Sequence, residues 1–275
     1  MILLLISAMA QGAPGSPSYS PEAGSFAPLR DGSAAPGPGW THALAEDTLF
    51  TSANLSWQHR PLVFTLESGE TRNVLGDVAA LRMAASHRVG PVRLGLNMPL
   101  YLVTTSDYSA VQGPVLGDVD LWGSAYQPAG SWRIGGSLHA TGPLGGAARQ
   151  VGALSPGFEA WGLARHDGPT SVQIELGIDL SGEADLADVR LDDRAQFVAA
   201  AWRPVGPLQA SVELAGSAGL HSLSDTTAHT LEMGGHVWRE SEDGRWVRAG
   251  LSTGLTHGIG VPQTRAELSV GLRRI

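Results

Sequence analysis

Val92-Arg93-Leu94-Gly95-Leu96-Asn97-Met98-Pro99-Leu100-Tyr101-Leu102 decides how the rest of the chain is read. A strand turns successive side chains to opposite faces. One face of this segment is then Val, Leu, Leu, Met, Leu, Leu, and the other is Arg, Gly, Asn, Pro, Tyr. Val172-Gln173-Ile174-Glu175-Leu176-Gly177-Ile178-Asp179-Leu180 repeats the pattern, with Gln173, Glu175 and Asp179 on the polar face. Segments of about ten residues with this alternation, separated by turn residues, are the signature of a membrane-spanning β-barrel. The apolar faces would meet lipid and the polar faces a lumen.

Working outward, about twelve strands of this kind follow one another. They are expected near 49–59, 77–87, 91–103, 117–126, 131–141, 157–166, 170–180, 194–203, 207–217, 228–239, 245–256 and 264–275. Five connections are short and rich in Gly, Pro or Asp: 88–91, 127–130, 166–169, 204–207 and 240–244. Such residues supply the backbone angles of tight turns. The connections between them are mostly longer, at 60–76, 104–116, 142–156, 181–193, 218–227 and 257–263. Short turns on one side and longer loops on the other are the outer-membrane arrangement, and an even strand count returns both termini to the periplasm. The expected fold is therefore all-β, a transmembrane antiparallel up-and-down barrel over residues 40–275.

A soluble β-sandwich would also show alternating strands with turn signals. Two features count against it. The apolar faces are nearly pure Val, Leu, Ile, Ala, Gly and Met, with little aromatic filling. The polar faces place Glu175, Glu213 and Glu267 at strand centres, where a soluble core would not hold them. No stretch reaches the 18 or so unbroken apolar residues of a membrane helix. Membrane residence therefore requires a closed barrel, because an open sheet edge cannot be satisfied in lipid.

Composition agrees. Of 275 residues, 16% are charged, against about 25% in soluble domains. All 18 basic residues are Arg, and the net charge of −8 excludes nucleic acid as a partner, since phosphate binding needs a basic surface. Absence of Cys removes disulfides, thiolate nucleophiles and Cys-based metal sites. Residues 1–10 read as a signal peptide ending in Ala8-Met9-Ala10, although a positive n-region is missing. Residues 11–39, rich in Gly, Pro and Ser, read as a flexible periplasmic leader.

Trp132, Trp202, Trp238 and Trp246 fall at strand ends beside the short turns. Girdle aromatics belong there, facing the membrane interface. Trp122 shares the parity of Asp118 and Asp120 and is expected inside. The last strand separates Ala266, Leu268, Val270 and Leu272 from Arg265, Glu267, Ser269, Gly271 and Arg273. It runs to Ile275, the kind of amphipathic C-terminal strand that barrel-insertion machinery reads.

Several pieces resemble a known family. They are Arg60-Pro61-Leu62-Val63, Leu94-Gly95-Leu96-Asn97-Met98-Pro99-Leu100, Leu116-Gly117-Asp118-Val119-Asp120-Leu121, Val212-Glu213-Leu214-Ala215-Gly216, and Gly254-Leu255-Thr256-His257-Gly258-Ile259-Gly260-Val261-Pro262 followed by Arg265. In this order they are similar to outer-membrane transporter barrels of the phenol meta-pathway type and to the N-terminal barrels of myxobacterial OmpA-family proteins. The resemblance runs from about residue 50 to the end. It implies the barrel fold, a Gram-negative outer-membrane location and a transport role, and says little about substrate. Longer OmpA-family members continue into a peptidoglycan-binding domain; cell-wall anchoring is not expected to carry over to these barrel residues.

By parity the lumen is expected to be lined by Arg93, Asn97, Tyr101, Asp118, Asp120, Arg133, Gln173, Glu175, Asp179, Glu213, Arg265, Glu267 and Arg273. Mixed Arg and carboxylate linings have two readings. One is a salt-bridged plug that rigidifies the wall, and the other a charged path that selects solutes. Glu213 is expected to pair with an Arg. Asp118 and Asp120 could hold a hard cation such as calcium or constrain the strand start with an Arg partner. His221, His229 and His236, near Ser222, Ser224 and Asp225, raise the question of a hydrolase. No G-x-S-x-G, H-E-x-x-H or P-loop pattern supports one, so no enzyme activity and no cofactor are expected. The leading function is a passive channel for a small solute, with outer-membrane lipid and the insertion machinery as partners. The alternatives are a closed barrel acting through its outer loops and, behind it, a barrel hydrolase.

Overall fold

The computed structural model describes residues 49–65, 71–105, 114–142, 157–180, 184–186, 189–191, 193–220, 229–256 and 262–274. The signal peptide and leader expected at 1–39 lie outside these residues, as does His221.

Among the described residues fifteen strands are present. Twelve build the barrel: β1 (Leu49–Thr65), β2 (Thr71–Val89), β3 (Val92–Thr104), β5 (Val119–Ala129), β6 (Trp132–Gly142), β7 (Gly157–His166), β8 (Ser171–Leu180), β11 (Arg194–Val205), β12 (Leu208–Gly219), β13 (Thr230–Glu240), β14 (Arg245–Gly254) and β15 (Thr264–Arg274). Short β4 (Val115–Leu116) pairs with β3, and β9 (Ala184–Leu186) pairs with β10 (Val189–Leu191). Every barrel strand pairs antiparallel with its chain neighbours, and β1 pairs with β15, so the sheet closes without a free edge. Among the described residues no helix is long and apolar enough to cross a membrane. Crossing by strands needs about 9–11 tilted residues each, which all twelve supply.

Turn chemistry sets the registers. Val89 faces Val92 across Gly90-Pro91, and Val205 faces Leu208 across Gly206-Pro207. Gly90 and Gly206 have φ of 63° and 61°. That is the left-handed first position of a two-residue hairpin turn, followed by a Pro whose fixed φ suits the second. Strands joined this tightly cannot slip by one residue without turning every side chain to the wrong face.

The partition of side chains is inverted relative to a soluble protein. Leu176 is 64% exposed and Leu96 43%, whereas Glu175 is 0% and Arg93 1%. Leu55, Leu94, Leu121, Leu138, Ile174, Ile178, Val212, Leu251 and Leu268 stand outside with them. Asn54, Gln173, Glu213, Glu232, His236, Arg248 and Arg265 are enclosed. Exposed apolar area on this scale has no partner in water, and a lipid-facing band accounts for it. The sandwich alternative is thereby removed.

Two expectations are corrected. Residues 60–65 and 71–76 are not loop but extensions of β1 and β2. Arg60 sits at φ 50°, and the pairing shifts register between His59 and Leu62, so Arg60-Pro61 is absorbed in a bulge rather than ending the strand. Trp202, Trp238 and Trp246 are not girdle residues. They turn inward and pack together with Ala200. Only Trp132 of that set is on the outside. Strand parity, not nearness to a turn, decides which way an aromatic points.

Candidate functional site: the barrel interior

The inner wall carries two polar networks, separated on their nearer side by β2. One spans β12 to β1. Arg248 donates to Glu213 at 2.9 Å, and His236 Nδ1 lies 2.6 Å from the same carboxylate oxygen. The other ring nitrogen of His236 meets Glu267. Asn54 donates to Glu267 at 3.3 Å and to Ser269 at 2.7 Å. Arg265 reaches Glu232 at 3.3 Å, and Ser252 donates to the same Glu232. Glu213 is thus paired with an Arg, but His236 bridges it onward to Glu267. Charges this enclosed are retained only when partnered.

Register explains how His236 reaches two strands away. It faces Gly250 across β13–β14, and Gly250 faces Glu267 across β14–β15. The imidazole lies in the space a Cβ at 250 would need. The same device recurs where Trp246 lies over Gly271, Trp161 over Gly177 and Trp122 over Gly95. Large inward rings are laid flat against the wall by a glycine on the next strand.

The second network lies on β3, β5 and β6. Asn97 donates to Asp120 at 3.0 Å, His139 Nδ1 stands 3.2 Å from the same oxygen, and Ser137 meets His139 Nε2 at 2.9 Å. Trp122 stacks on His139, with ring centres 6.2 Å apart. Gln173 and Glu175 on β8 are hydrogen-bonded to each other.

At the short-turn end the interior holds an aromatic cluster. The guanidinium of Arg165 sits 4.7 Å over the Trp202 ring, beside Trp238 and Trp246, a cation–π contact in an enclosed place. Arg165 and Arg133 both hold Asp167, at 2.6 and 2.8 Å. Arg93 covers Phe50 at 4.7 Å.

Of the residues selected by parity, Arg93, Asn97, Tyr101, Asp118, Gln173, Glu175, Glu213, Arg265 and Glu267 are buried. Asp120, Arg133, Asp179 and Arg273 are half-buried. Asp179 accepts from Gln196 at 3.3 Å, while Arg273 pairs with Glu240 at 3.0 Å near the short-turn end. Asp118 precedes β5 instead of lying in it. Among the described residues no group of three or more His, Asp or Glu is arranged to hold a metal ion, so the calcium reading of Asp118 and Asp120 gains nothing.

Sequence reading missed Asn54, His139, Arg165, Glu232, His236 and Arg248 as interior residues. Parity would have found several: Glu232 and His236 alternate with Thr230, and His139 with Ser137. His236 lies in the strand expected at 228–239, and the structure turns it to the inner face of β13.

No protein-family model matches the chain, and no curated protein matches it. Solved structures do. An outer membrane channel from Pseudomonas putida F1 superposes with a TM-score of 0.68 at 14% identity, covering 87% of this chain and all of that one. The NanC porin gives 0.54 at 7% identity, covering 82% of this chain and 99% of its own. The CymD monoaromatic hydrocarbon channel gives 0.50 at 9%, covering 93% and 97%. At these identities the likeness is one of fold: the chain is an outer-membrane-type barrel of twelve antiparallel strands.

Proposed function

We propose that this barrel is a passive channel for small solutes in a Gram-negative outer membrane. The observation that carries the reading is the inverted partition: an apolar outside enclosing Arg, Glu, Gln and His side chains. A polar interior held in lipid by a closed wall is what a water-filled path requires. The channels and porins of like fold point the same way. In this reading the short-turn end and both termini face the periplasm, outer-membrane lipid surrounds the wall, and the insertion machinery reads β15. The resemblance to phenol meta-pathway barrels belongs to the same reading and rests on the ordered pieces named above.

The mechanism is diffusion past two charged walls. Solutes would pass the Glu213–His236–Glu267 and Asp120–His139 stretches of the wall, then the aromatic cluster at Trp202, Trp238 and Trp246. Selection falls to paired charges rather than one dominant sign, so strong discrimination between cations and anions is not expected. Liposome swelling with sugars of increasing size tests this. Swelling that falls off steeply with solute size supports the channel. Vesicles holding folded, heat-modifiable barrel that swell no faster than empty ones would favour the closed alternative, in which the outer loops act.

A further inference from the structure

Ser137, His139 and Asp120 form a continuous relay on the interior wall. Ser137 and His139 lie two residues apart on β6 and so share its inner face; both are buried. Asp120 is on β5, where His139 faces Trp122 and Ser137 faces Ser124. Asp120 is therefore the diagonal neighbour of His139, within reach of a ring. The distances are 2.9 Å from Ser137 Oγ to His139 Nε2 and 3.2 Å from His139 Nδ1 to Asp120 Oδ2. A carboxylate on Nδ1 fixes the tautomer with the proton there. Nε2 is left as the acceptor facing the serine hydroxyl. Asn97 holds the carboxylate from β3, and Trp122 holds the ring from its face. Nucleophile, base and orienting acid are thus connected in the order that activates a serine.

A second, independent feature stands beside it. The Ser124 hydroxyl and the Trp122 indole N–H are buried without a hydrogen-bond partner among the described residues. Buried donors are normally satisfied, so both are available to an acceptor on a molecule inside the barrel, water or substrate. Ser124 faces Ser137 directly across β5–β6. Side chains paired in this way have Cβ atoms about 5 Å apart, so an oxygen on a carbon attacked by Ser137 would lie in reach of the Ser124 hydroxyl.

We propose that this wall is an acyl-transfer site that hydrolyses small carboxylic esters entering the barrel. Ser137 Oγ bonds to the ester carbonyl carbon as its proton passes to His139 Nε2. The carbonyl electron pair moves onto oxygen, which accepts from Ser124. The ester C–O bond then breaks, and the leaving alcohol takes the proton from His139. Water attacks the acyl-serine, giving a proton to His139, and Ser137 leaves with that proton. Ester and water become acid and alcohol, with no redox change. Ser137 and His139 are the catalytic residues; Asp120 and Asn97 are positioning residues. Entrance from one mouth is enough, so the activity does not depend on conduction through the barrel.

The test uses the refolded full chain in detergent with p-nitrophenyl acetate, alongside phenylmethylsulfonyl fluoride labelling located by mass spectrometry. Expected are turnover above buffer and a label on Ser137, both lost in Ser137→Ala. In Ser137→Ala turnover should fall to the buffer rate, because no acyl-serine can form. Asp120→Asn should lower the rate and change its pH profile, which a merely structural role would not do. Heat modifiability reports the folding of each variant. Should Ser137→Ala fail to fold, the site of the label on the folded wild type decides alone. Folded wild type that neither turns over the ester nor carries the label on Ser137 overturns the proposal, as does turnover that survives Ser137→Ala.

Discussion

Leu176→Arg is the sharpest perturbation of the facing assignment. Leu176 lies mid-way along β8, 64% exposed, with Ile174 and Ile178 beside it on the same face. If that face meets hydrocarbon, a guanidinium there cannot find water except by snorkelling or thinning the bilayer. Arg or Lys at the midplane of a barrel's lipid face costs about 2–4 kcal/mol, roughly 30- to 1,000-fold in the folding equilibrium at 1.4 kcal/mol per factor of ten. Gln173→Arg, three residues away and inside, meets the Glu175 carboxylate that now receives the glutamine amide, and should cost well under half as much. Equilibrium refolding from urea into thin phosphatidylcholine vesicles, followed by Trp fluorescence and heat-modifiable migration, reads both. Equal costs for the two substitutions, or a larger cost inside, would refute the lipid-facing argument.

Other consequences can be checked on the same preparation. Gly250→Ala places a methyl where the His236 ring lies; overpacking of this kind costs about 1–3 kcal/mol, and the urea midpoint should fall while Gly235→Ala, with more room, changes it less. Trp246→Ala and Trp238→Ala remove part of the packed cluster at the short-turn end and should raise the solute size limit in liposome swelling; unchanged limits would place the narrowest point elsewhere. In the exposed β13–β14 turn, the Ser241 hydroxyl and then the backbone N–H of Arg245 hold the Asp243 carboxyl below the usual carboxylate range. Its contribution to the turn is present at neutral pH and lost as pH falls through that lowered value. Ser241→Ala should move the titration of Asp243 upward, read by carbon NMR of the side-chain carboxyl.

Much of the barrel was legible because its determinants are local. The period-2 alternation of 92–102 and 172–180 and the Gly-Pro pairs at 90–91 and 206–207 each need only neighbouring residues to be read. The extension of β1 was hidden by Arg60-Pro61, which has the composition of a strand end and becomes a bulge only because β2 continues to pair beyond it. Trp202, Trp238 and Trp246 were assigned by distance from turns, when parity along β11, β13 and β14 governs their direction. The interior pairings were out of reach for a different reason. That His236 crosses Gly250 to Glu267, or that Asp120 stands diagonal to His139, depends on the register between strands, and a single sequence does not carry it.

Single-channel recording of the refolded, heat-modifiable protein in a planar bilayer tests the central claim most directly. The account predicts discrete current steps with at most a weak preference between cations and anions, as expected of walls whose Arg and carboxylate side chains are paired. A folded barrel, inserted and silent under the same voltage, would contradict it.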